Sequence, residues 1–339
     1  MSSIKIVKAE APMRIDLAGG TIDIPPLFLF HYPAMTVNAA ISVKARVTIQ
    51  ESKRFSVISE DQGIHAEWSR PDDISWREYP KLELILRLIH SFEPKENLAV
   101  TVRSDAPQGS GLGASSAIAI ALTAALARWF DKNLNQEELV EYAKSIETET
   151  IKVPTGYQDY WAAVYGGVRA YQMGLDGNVG VTSLGSEKFH AELERRMMLV
   201  YVGIPHFSGA NNWELFKKHI DGDTATLQFF ETLKENAIVM KEALESEGIE
   251  KVAGVLNTDW QTRKAMLPGM TTPEIEQLMK EAFANGAHAA RVCGAGAGGC
   301  VLLLVDPARR DVIEKAVEKL RMRILPFSIA ERGVHVASK

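Results

Sequence analysis

Cysteine is scarce in this chain: 339 residues contain two, Cys293 and Cys300. That argues against a disulfide framework, and two cysteines alone do not make a zinc site. Long apolar runs are missing as well. None approaches the roughly eighteen residues that a bilayer-spanning helix needs. The opening stretch MSSIKIVKAEAPMRIDL alternates like a strand and lacks the apolar core of a signal peptide. There is no basic cluster either: 38 Lys and Arg stand against 43 Asp and Glu, a net charge of −5. Such a balance leaves no footprint for nucleic acid. Internal repeats and low-complexity segments are absent. These absences point to a cytoplasmic chain with neither nucleic acid nor membrane as a partner.

What is present is ordinary for a soluble globular protein: 46% hydrophobic and 24% charged residues. The length accommodates two domains with separate cores. Residues 4–17 offer two short apolar stretches around a turn-like EAP, and 35–49 and 98–102 read as strands. Residues 82–92 carry apolar side chains at helical spacing. A helix over 135–150 is marked by Asn135 as N-cap with Glu138 three residues on. The second half changes character after about residue 190. A strand at 197–203 leads into long helical segments at 211–247 and 273–287. A glycine loop at 291–305, a helix at 308–320 and a strand near 333–337 complete an α+β pattern. The expected division is 1–190 and 191–339.

The stretch PQGSGLGASSA (107–117) joins the strand LAVTV to the apolar helix former IAIALTAALARWF. It is longer and richer in glycine than chain reversal requires. Glycines let a ligand approach the main chain, and the first N–H groups of a helix lack intrahelical partners at its positive end. Phosphate is the natural guest of such a connection. A plain flexible loop, with Ser115 and Ser116 serving only as N-caps, is the alternative.

Three stretches stand in order: APMRIDLAGG (11–20), PQGSGLGASSA (107–117) and VCGAGAGGCV (292–301). In order and spacing they resemble the motifs of the GHMP kinases, the superfamily of galactokinase, homoserine kinase, mevalonate kinase and phosphomevalonate kinase. Within it, RIDLAGGTID, ETETIKVPTGYQDYWAAVYGG and the segment 271–300 are most similar to sugar kinases acting on D-glycero-D-manno-heptose 7-phosphate. The resemblance implies an N-terminal ATP-binding domain like domain 2 of ribosomal protein S5 and a ferredoxin-like C-terminal domain. The active site would lie in the cleft between them. The loop GxxxxGK[ST] is absent, so this is not a P-loop NTPase.

The resemblance also assigns roles. Gly109, Ser110, Gly111, Gly113, Ala114, Ser115 and Ser116 would wrap the ATP phosphates, with Ala114 standing where relatives usually have serine. The Ser115 hydroxyl and Glu149 would meet Mg²⁺, which prefers oxygen ligands. Asp159 matches the carboxylate beside the acceptor hydroxyl, as general base or orienting group; a turn aspartate bonding its own backbone is the alternative. Arg14 and Asp23 belong to the acceptor motif, although Arg14 reads equally as half of a structural ion pair. Two departures bear on the acceptor. Residues 19–23 are GGTID where heptose-type relatives show GGGTD. His206 stands where such relatives carry an arginine, and a histidine is a weaker permanent phosphate clamp than a guanidinium. Gly296, in the third motif, would help close the site around the phosphates. Trp68 and Trp76 fall where such kinases often hold adenine. The implied partners are ATP and a small-molecule acceptor, with a homo-oligomer left open. Another acceptor (mevalonate or a polyol), a diphosphomevalonate-type decarboxylase and a noncatalytic nucleotide or sugar sensor are the competing readings.

Overall fold

The computed structural model describes residues 5–203, 209–266 and 269–338, without the side chains of 209–212. The first strand, β1 (Ile6–Ala18), is continuous where the sequence suggests two short stretches. Pro12 lies inside it, and the register against β2 (Met35–Glu51) shifts between Pro12 and Met13. A residue without an N–H is accommodated at such an irregularity.

The first sheet continues with β3 (Phe55–Ser59), β4 (Ile64–Trp68), β5 (Leu98–Ser104), β6 (Val168–Met173) and β7 (Val179–Ser183). Only β3 and β5 run parallel; the other pairs are antiparallel. The long β2 is shared, pairing with β6 through its first residues and with β5 through its last. A second, antiparallel sheet holds β8 (Met197–Tyr201), β9 (Ala287–Val292), β10 (Cys300–Val305) and β11 (Arg323–Leu325), in the order β11-β8-β10-β9. The closing strand β12 (His335–Ser338) does not stay with this sheet. It crosses back to pair with β1, so the tail expected in the second half completes the edge of the first sheet.

The helix Ala114–Trp129 is the keel of the first half. Thirteen of its sixteen residues are buried, among them the run of Ala and Ile from Ala117 to Ala121. A helix apolar on all sides must be covered on all sides. It packs on β1 and β2, and the helices Gln136–Ile151 and Gln158–Tyr165 flank it. The helix Gln136–Ile151 begins as its sequence indicates, with a reciprocal capping box between Asn135 and Glu138. Two helices were less legible. Gln158–Tyr165 forms from the apolar stretch after PTGY, and Ile249–Met266 fills a stretch without a clear apolar face. Cys293 and Cys300 are free and buried, and burial pushes both thiols up, that of Cys293 to about 12. Among the described residues no helix is long and apolar enough to cross a membrane.

Candidate active site

The stretch 107–117 bends through three alternate glycines, Gly109, Gly111 and Gly113, with φ of +67°, +75° and +74°. L-residues with a Cβ avoid that region, so the loop's path depends on these positions. Gly113 is the N-cap of the helix Ala114–Trp129, and no side chain caps that end. The first N–H groups of the helix therefore open onto a cavity of about 270 Å³, lined by Gly109, Ser110, Gly111, Gly113, Ala114, Ser115 and Ser116. The capping alternative for the two serines does not hold. Ser116 is buried and donates to Glu147 Oε2 at 3.0 Å, while Ser115 is exposed to the cavity.

Asp159 enters the same cavity from the first turn of the helix Gln158–Tyr165. Arg14, buried on β1, places Nε and Nη2 each 2.7 Å from Asp159 Oδ1. Its Nη1 donates to Gly111 O at 2.5 Å, tying the carboxylate to the glycine loop. A Cβ on Gly113 would stand 3.2 Å from Asp159 Oδ2, so the second oxygen lies against the loop. Burial raises the Asp159 carboxyl above its ordinary value, and Arg14 opposes that rise. Burial works against the charge of Arg14, but Asp159 and Asp16, the latter 3.0 Å from Nε, hold its pKa above the usual value. Arg14 is thus an ion-pair residue as well as a wall of the cavity.

Asp23 is buried with its Oδ2 accepting the N–H groups of Tyr157 (2.5 Å) and Gln158 (2.8 Å). It anchors the start of the helix that carries Asp159 while also lining the cavity. Burial lifts its carboxyl to about 6 in spite of those two N–H groups.

Glu149 requires a correction. Its carboxylate is exposed and lies 2.7 Å from Arg87 Nη1, outside the cavity. Glu147, two positions earlier and so on another face of the helix, lines the cavity and is buried. Besides Ser116 it accepts from Tyr160 Oη at 2.5 Å. Burial raises its carboxyl, partly offset by the hydroxyls of Ser115, Tyr160 and Ser116. A carboxylate and a hydroxyl facing one cavity are the hard oxygen donors that Mg²⁺ takes alongside phosphate and water. The donor set fits that ion with Glu147 in the place expected of Glu149.

The third motif packs directly on the second. Cys300 N donates to Ser110 O at 2.8 Å, and a Cβ on Gly294 would meet Gly111 O at 2.9 Å. Gly294 and Ala295 reach the cavity, whereas Gly296 does not line it and lies against Met270. Trp68 and Trp76 also lie outside it. Trp68 is buried against Phe55 and Tyr79, and Trp76 lies under the Arg87 guanidinium. His206 falls outside the described residues. Sequence reasoning missed Arg263, Arg291 and Asp259. The first two line the cavity, and both reach Asp259 Oδ2, at 2.8 and 3.0 Å. Two signals were available: Asp259 and Arg263 stand at i,i+4, and Arg291 is a charge set between Ala289, Ala290 and Val292.

Residues 82–167 match the family model of the GHMP kinases N terminal domain, and 240–321 match that of the GHMP kinases C terminal. The chain is 30% identical to a D-glycero-alpha-D-manno-heptose 7-phosphate kinase of Campylobacter jejuni over 346 residues, covering 98% of each. The chain belongs to the GHMP kinases. Two crystal structures share the fold of this GHMP kinase. One is a D-glycero-D-manno-heptose 1-phosphate kinase from Bacteroides thetaiotaomicron, at TM-score 0.78 and 24% identity over 98% of both chains. The other is Lactococcus lactis galactokinase complexed with galactose, at TM-score 0.75 and 18% identity over 97% of this chain and 95% of that one. The expected α+β GHMP kinase fold with N and C domains is the one observed, built on two sheets, and this GHMP kinase is a phosphotransferase acting on an alcohol group.

Proposed function

We propose that this GHMP kinase transfers the γ-phosphoryl group of ATP to a hydroxyl of a sugar or sugar phosphate, with D-glycero-D-manno-heptose 7-phosphate as the first acceptor to try. The observation that carries the reading is the position of Asp159. One of its oxygens is held by Arg14, and the other faces the glycine loop within a single cavity.

The N–H groups of the glycine loop and helix start bind the phosphates of ATP and offset charge that spreads over them during transfer. Ser115 and Glu147 would hold Mg²⁺, which when bound would neutralise charge on the phosphate oxygens. Arg14 fixes Asp159 Oδ1, leaving Oδ2 to accept a hydrogen bond from the acceptor hydroxyl. The hydroxyl lone pair is thereby aimed at the γ-phosphorus. As the new P–O bond forms and the bond to the ADP oxygen breaks, the hydroxyl proton passes to Oδ2. A carboxyl raised by burial is the better base near neutral pH. Asp23 binds at the acceptor end and steadies the helix bearing Asp159.

ADP release should be followed with Mg²⁺ across heptose 7-phosphate, free heptoses and hexoses, uronic acids, inositol and mevalonate. Turnover confined to a sugar or sugar phosphate is expected. Turnover with mevalonate alone, carbon dioxide among the products, or nucleotide binding without turnover on any acceptor would overturn the reading.

A further inference from the structure

The charges around the cavity are unevenly compensated. Arg14 has two carboxylates within 3.0 Å, those of Asp159 and Asp16. Arg263 and Arg291 share a single one, Asp259, and all three of these side chains are at most 4% exposed. One positive charge is therefore left over in a buried wall of the cavity. The remaining contacts are to neutral groups. Arg263 Nη2 donates to Gly20 O at 2.6 Å, with Thr21 Oγ1 at 3.5 Å from Nη1, and Arg291 Nη1 donates to Leu17 O at 2.8 Å. Arg291 Nε has no hydrogen-bond partner among the described residues. A guanidinium carries five donors and is costly to bury without an anion to match it.

Resting on the kinase reading above, we infer that Arg263 and Arg291 form an anion subsite for a phosphate already present on the acceptor. The acceptor is thus a sugar phosphate rather than a free sugar. Planar guanidinium donors suit phosphate oxygens, with charge and geometry both favourable. The cavity would then be divided by charge. The carboxylate of Asp159 meets the hydroxyl to be phosphorylated, and the arginine wall takes the anionic end of the same molecule. The arginines also hold the carbonyls of Leu17 and Gly20, so the subsite is built on the loop that carries Asp23. The competing role is a clamp that only positions that loop, and the two roles differ in what they bind.

The first arm is a calorimetric titration of inorganic phosphate into protein already saturated with Mg·AMPPNP, which occupies the glycine loop. One phosphate per chain is expected, with sulfate similar and acetate weaker. Arg263→Gln should weaken phosphate about 10- to 100-fold, as loss of a charge-assisted contact does, while the affinity for Mg·AMPPNP holds. Acetate binding as tightly as phosphate would replace the phosphate by a carboxylate. No phosphate binding, or binding unchanged in both Arg263→Gln and Arg291→Gln, would leave only the clamp. Failure of Mg·AMPPNP to bind counts against the kinase reading alone, and the Arg263 dependence of phosphate binding still decides the subsite. The second arm needs no variant and so survives misfolding of either one. Wild-type KM is compared for heptose 7-phosphate and the free heptose, and it should be about 10- to 100-fold lower for the phosphorylated sugar. Equal KM values would overturn the subsite.

Discussion

Glu147 and Glu149 lie two positions apart on one helix, and the separation decides which of them meets the cavity. Glu147→Gln should raise the Mg²⁺ concentration needed for half-maximal turnover by about tenfold or more. Glu149→Gln, which loses only an exposed pair with Arg87, should stay within about twofold. Equal effects of the two would reverse the assignment. Helical spacing in IETET separates the two faces, but it does not say which face the glycine loop will cover. That depends on packing against the helix Ala114–Trp129, a contact between distant segments. Asp159 and Arg14 were legible because each lies in a distinctive motif. Arg263 and Arg291 were not, because their shared carboxylate and their carbonyl partners come together only in the folded chain. Asp23 supplies a second prediction. Its carboxyl is raised from 3.8 to about 6, so the folded state binds more protons than the unfolded one between those values. Stability from this group is complete below the unfolded value and declines as pH rises through the folded one, by up to about 3 kcal/mol. Asp23→Asn keeps an oxygen for the N–H groups of Tyr157 and Gln158 and removes the buried charge. It should unfold at higher urea than wild type at pH 7.5, lose most of that advantage by pH 4.5, and bind acceptor less well. A variant less stable than wild type at pH 7.5 would count against a buried, charged Asp23.

At the scale of elements, the glycine loop is held from three sides: by Arg14 on β1, by Asp159 on its own helix, and by the third motif between β9 and β10. Gly113 is where two demands meet, a left-handed φ of +74° and the proximity of Asp159. Gly113→Ala should cost about 1–2 kcal/mol in urea unfolding through backbone strain. It should also lower kcat about tenfold or more, because the new Cβ displaces the carboxylate. A variant with wild-type kcat would show that Asp159 tolerates movement. Elements with local signals were readable: the capping box at Asn135, the apolar helix after the glycine loop, and the alternation of β1. The helix Ile249–Met266 lacked such a signal. Its buried residues include Asp259 and Arg263, which pair with each other at i,i+4 and blur the apolar face.

At the scale of the whole molecule, two sheets are joined by backbone contacts as well as by the tail. β12 covers β1 at residues 7–10, an edge that would otherwise offer unpaired N–H and C=O groups. Deleting 335–339 should lower the urea midpoint and promote concentration-dependent association, read by light scattering. A monomer of unchanged midpoint would show the strand to be dispensable. This crossing was not legible, since HVAS reads as a strand without naming its partner sheet. In the proposed reaction Asp159 acts between the nucleotide and acceptor ends of one cavity. The measurement that tests it most directly is turnover of Asp159→Asn on the best acceptor of the panel, beside its affinity for Mg·AMPPNP. The expected result is a kcat at least about 100-fold below wild type, with nucleotide affinity kept within about threefold. A variant that binds nucleotide and turns over at the wild-type rate would contradict the mechanism.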